Sequence, residues 1–107
     1  MARTRIHRTY NIPEAIISEA EHHGLDALST GGGMDYIVKT LGKNEDGSTR
    51  VILLCAARES GGPDKLNEPV DVQVMLTETW DNAVAIPCKT AREGMALMAK
   101  MYDPYAG

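Results

Sequence analysis

Thr49-Arg50-Val51-Ile52-Leu53-Leu54-Cys55-Ala56-Ala57-Arg58 is the stretch whose reading decides the fold. Read with the period of two that a strand imposes, Val51, Leu53, Cys55 and Ala57 share one face, and Ile52, Leu54 and Ala56 share the other. A strand wet on one side alternates apolar with polar residues. Two apolar faces mark a central strand covered on both sides.

Working outward, Lys43-Asn44-Glu45-Asp46-Gly47 reads as a hairpin turn, with Asp46-Gly47 supplying the positive φ angles such turns need. It joins the central strand to a strand over Met34–Leu41. Ser60 to Pro69 reads as a loop. After it Val70, Val72, Val74 and Leu76 alternate with Asp71, Gln73, Met75 and Thr77, which predicts a half-exposed strand. Trp80-Asp81-Asn82 is a turn, and Ala83–Lys89 a last short strand that Pro87 places at an edge or at its own end. Leu25–Thr30 is a further short strand. The hairpin-sized connections make the sheet largely antiparallel, because parallel neighbours need crossovers of a dozen or more residues.

A helix is expected at each end. Pro13 suits a first turn and predicts a helix over Pro13–His23, capped by Asn11 or Ile12. Its apolar face is Ile12, Ile16, Ala20 and His23, widened by Ala15, and Gly24 sits just past its end. Thr90-Ala91-Arg92-Glu93 is a capping box. The Thr90 hydroxyl faces the Glu93 amide, and the Glu93 carboxylate is expected to reach back to the Thr90 amide. The helix it opens runs to about Tyr102, with Ala91, Met95, Met98 and Tyr102 on one face. The fold class is therefore α+β: an antiparallel four- to five-stranded sheet flanked by an N-terminal and a C-terminal helix. Residues 11–107 form a single domain, and residues 1–10 a basic N-terminal arm carrying Arg3, Arg5, His7 and Arg8. If both helices share one face of the sheet, the second apolar face of Thr49–Arg58 needs another cover, and a homodimer is the expectation.

Composition fits a folded domain: 107 residues, of which 43% are apolar and 24% charged. With no Phe and six Met, the core rests on aliphatics and methionine, and Tyr10, Tyr36, Trp80 and Tyr102 are its few large pieces. A net charge of −4 argues against a nucleic-acid partner. Cys55 and Cys88, without a signal peptide, fit reduced buried thiols, and no window carries the ~18 apolar residues of a membrane span. No membrane association and a cytoplasmic location are expected.

Between the first two predicted strands lies Ser29-Thr30-Gly31-Gly32-Gly33-Met34-Asp35. Three glycines in a row imply a backbone that side chains would block, either a tight corner or a run of N–H groups open to close approach. A P-loop needs Lys-Ser/Thr and a helix after its last glycine, and here a strand follows, so that fingerprint is absent. Thr30, Gly31, Gly32 and Gly33 remain candidates for an anion nest that would take a phosphate-bearing small molecule such as a nucleotide. Asp35 beside the glycines and Asp81 beside Trp80 are the best placed carboxylates for acid–base chemistry. Trp80 either closes the core or, exposed, anchors a protein partner. His22 and His23 point about 100° apart on a helix, and the two cysteines lack paired spacing, so no metal site, cofactor or catalytic residue is assigned.

The leading helix followed by GLDALSTGGGMDYIVKTL, Gly24–Leu41, resembles small bacteriophage proteins of unassigned function over residues 12–42. That resemblance implies an accessory or host-takeover factor that acts by contact with a host protein rather than by catalysis, and it carries over no catalytic position. The site set on sequence is accordingly Thr30, Gly31, Gly32, Gly33, Asp35 and Trp80, for a ligand or partner.

Overall fold

The computed structural model describes residues 11–29, 35–43, 45, 47, 49–57, 61–75 and 84–101. In chain order these form α1 (Glu14–His22), β1 (Asp26–Ser29), β2 (Asp35–Lys43), β3 (Thr49–Ala56), β4 (Val70–Met75), β5 (Val84–Cys88) and α2 (Ala91–Lys100). The arm at residues 1–10, the glycine segment at 30–34, the segment 76–83 with Trp80 and Asp81, and Tyr102 lie outside the described residues.

All four strand pairs are antiparallel and the sheet order is β1-β2-β3-β4-β5, a meander in a small α+β domain. The central place of β3 is the one its two apolar faces require. Its ladders set Leu54 between Ile37 and Val72, and Leu53 between Val38 and Gln73. A bulge between Thr40 and Gly42 shifts the β2–β3 register, and Gly47 in the following turn has φ 90°, which a side chain would strain. Pro87 sits on edge strand β5 opposite Asp71, where a residue without an N–H is tolerated. On the other edge, Ala27 N–H donates to the Asp26 carboxylate at 2.8 Å.

α1 begins one residue later than its sequence suggests. Pro13 (φ −56°, ψ 143°) is itself the cap, and its carbonyl accepts from Ile17 N at 3.0 Å. Neither Asn11 nor Ile12 caps the helix. The proline ring already holds φ near the helical value and has no N–H to satisfy. The buried face is Ile16, Ile17 and Ala20, whereas Ala15 is exposed. Ile17, next to Ile16 on the helix, widens the buried face in place of Ala15 and offers more apolar surface than an alanine does. The helix ends in a double turn. Leu25 N–H reaches Ala20 O at 2.9 Å and Gly24 N–H reaches Glu21 O at 3.1 Å, with Gly24 at φ 72°. These are the two hydrogen bonds of a Schellman cap, which drops Leu25 into the core.

Thr90 caps α2, its Oγ1 accepting from Glu93 N at 3.1 Å. The Glu93 carboxylate, however, accepts from Lys89 N at 3.1 Å, one residue before the expected Thr90 amide. α2 stops at Lys100, short of the expected end. Met101 is extended (φ −76°, ψ 141°), and the Lys39 ammonium from β2 donates to Met98 O, Ala99 O and Met101 O at 3.1, 3.2 and 2.7 Å. A cation there satisfies carbonyls that a helix end leaves orphaned and complements the negative end of its dipole.

Both helices lie on one face of the sheet. Ile16, Ile17, Ala20, Met95 and Met98 close over Ile37, Ile52, Leu54, Val70 and Val72 in a single cluster. Tyr36, Val38, Leu53 and Cys55 form a smaller cluster on the opposite face. They are 4, 6, 2 and 5% exposed within the single chain, so the premise that this face lacks cover in the monomer does not hold. Part of the cover is local, since the Gly61 backbone of the β3–β4 loop hydrogen-bonds Tyr36. Of the chain's five large aromatics, Tyr36 alone lies among the described residues, and it is buried as expected.

Candidate functional site

Antiparallel meanders place alternate connections at opposite ends of the sheet. The 30–34 connection leaves from Ser29 and returns at Asp35, which face each other across the β1–β2 ladder. The 57–69 connection joins the same end. The 44–48 turn and the 76–83 connection leave from the other end. Lys39, Ile52, Val74 and Val84 are aligned across four strands, and Asp35 is four residues from Lys39. The start of β5 is therefore about 13 Å along and about 14 Å across from Asp35. The strand ends that carry the glycine segment and the Trp80 segment belong to different ends of the sheet. The parity of the connections carried this signal in the sequence.

Asp35 has a structural task. Its Oδ2 accepts from Asn11 N at 2.6 Å and ties the chain entering α1 to the first residue of β2. Beside it, Pro13, Ile16, Pro63 and Asp64 line a hollow of about 30 Å³. That holds roughly one water, whereas pockets for metabolites run to about 300–1,000 Å³. Gly62 backs this corner closely, since a Cβ there would sit 3.5 Å from Asp35 O and 3.7 Å from Leu54 O. The loop is braced from within, where the Glu68 carboxylate accepts from Asp64 N at 2.5 Å and from Lys65 N at 2.7 Å. Thr30, Gly31, Gly32, Gly33, Trp80 and Asp81 lie outside the described residues.

The thiols are held protonated at neutral pH. Burial pushes Cys55 up to about 12 from an ordinary 9.0, and the Asp71 charge adds to it. Cys88 is raised by burial, with Glu93 and Asp71 contributing, and it is half-buried where a core position was expected. Thiols so raised are poor nucleophiles and poor metal ligands. The Tyr36 hydroxyl is raised by burial and by Cys55, against the lowering effect of its Gly61 hydrogen bond. His23 Nε2 lies 3.2 Å from Glu19 Oε2, and the His22 and His23 rings meet edge to face at 5.4 Å. Among the described residues no three His, Cys, Asp or Glu side chains converge to hold a metal, and no helix is long and apolar enough to cross a membrane.

Two large apolar side chains are exposed among the described residues, and both flank segments singled out by sequence. Leu28 on edge strand β1, 40% exposed, precedes the glycine segment by one residue, Ser29, and Val84, 58% exposed, opens β5 directly after the Trp80 segment. Leu28 was not singled out by sequence. The signal was the small inward Ala27 beside a large outward neighbour in the shortest strand. Compared with models of protein families, with curated proteins and with solved structures, the chain matches none of them.

Proposed function

We propose that this protein works by binding another protein through the β1–β2 end of its sheet, not by turning over a substrate. The observation that carries the reading is Leu28. A large apolar side chain stands 40% exposed on an edge strand, one residue before the segment that holds the three consecutive glycines. The nearest carboxylate, Asp35, is engaged by the Asn11 amide, and the adjoining hollow has room for a water only. The resemblance of residues 12–42 to small bacteriophage proteins supports an accessory factor of this kind, aimed at a host protein.

The test is quantitative capture from a host lysate with the wild-type chain and with Leu28→Asp, alongside the melting temperature of both. One stoichiometric protein recovered by the wild type and lost by a variant that melts normally supports the reading. A phosphate-bearing metabolite released on denaturing the purified chain would replace it with the anion-nest reading of Gly31–Gly33. Equal recovery by both chains would move the contact away from Leu28.

A further inference from the structure

We draw no further inference here: the strongest candidate, the open depression of about 360 Å³ between the β3–β4 loop and the first turn of α2 where Arg92 is exposed, rests on a helix N-terminus with no second observation that points to a ligand.

Discussion

Replacing Gly94 by alanine sets two well-measured effects against each other at one atom. Gly94 lies in the first turns of α2, fully turned to the sheet. A Cβ there would come within 2.8 Å of Leu54 Cδ1 and 2.8 Å of Val70 Cγ2, with Val72 Cγ2 at 3.5 Å. Carbon atoms rest at about 3.5–4.0 Å, so roughly 0.7 Å must be found at two contacts at once. Leu54 and Val70 are both 0% exposed, and a valine has little rotamer freedom with which to yield. Helix propensity favours alanine over glycine by about 0.8–1.0 kcal/mol, while overpacking a filled core costs about 1–3 kcal/mol. The net expectation is a loss of up to about 2 kcal/mol, or several degrees in Tm at about 4–8 °C per kcal/mol. Urea denaturation followed by far-ultraviolet circular dichroism measures it. Val70→Ala removes one of the two clashing methyls. The pair Gly94→Ala with Val70→Ala should therefore be less destabilised than the sum of the single variants, by at least about 0.5 kcal/mol. A Gly94→Ala variant more stable than wild type by the full propensity difference would refute the close seating of α2 on β3 and β4.

Three other outcomes follow from the same structure. Lys39→Met should cost about 1.5–3 kcal/mol, the range for hydrogen bonds to a charged group, and hydrogen exchange should show its loss in the last turn of α2. Because folding raises the Cys55 pKa from 9.0 to about 12, its contribution to stability is intact below pH 9 and is lost as pH rises towards 12. Urea midpoints should fall over that alkaline window in the wild type, and fall less in Cys55→Ala; equal slopes would count against burial of the thiol. Asp35→Ala, which removes the acceptor of the exposed Asn11 amide and leaves water to replace it, should lower stability by about 0.5–1.5 kcal/mol, read from the urea midpoint.

Much of this fold was legible because its signals are local. The two apolar faces of β3, the Thr90 cap, Gly24 after α1 and Pro87 on β5 each state a backbone or burial requirement within a few residues. The contacts that were not legible join residues far apart. Lys39 reads as a polar strand position, and its partners lie about sixty residues later, in carbonyls that exist as acceptors only once α2 has ended. Asp35 reads as a loop acid, and nothing in its neighbourhood names the Asn11 amide, 24 residues away, as its donor. Periodicity showed that the second face of β3 is apolar, but burial of Leu53 depends on which segments fold over it, which periodicity does not encode. For the candidate site, strand order separates Asp35 from the start of β5, a division that residue types alone do not make.

The two rims of the sheet are finished differently from its middle. On β5 a proline stands where another chain would look for a donor, and on β1 the Asp26 carboxylate already holds the Ala27 N–H. Among the described residues neither rim offers an unbroken row of free backbone groups, and such rows are what let sheets zip together into fibrils. These two features disfavour strand-to-strand polymerisation, even though β3 and β4 carry the aliphatic runs that aggregation favours. A partner of the kind proposed above would then be selected by side-chain shape more than by lengthening the ladder, and its specificity would be open to single-residue change.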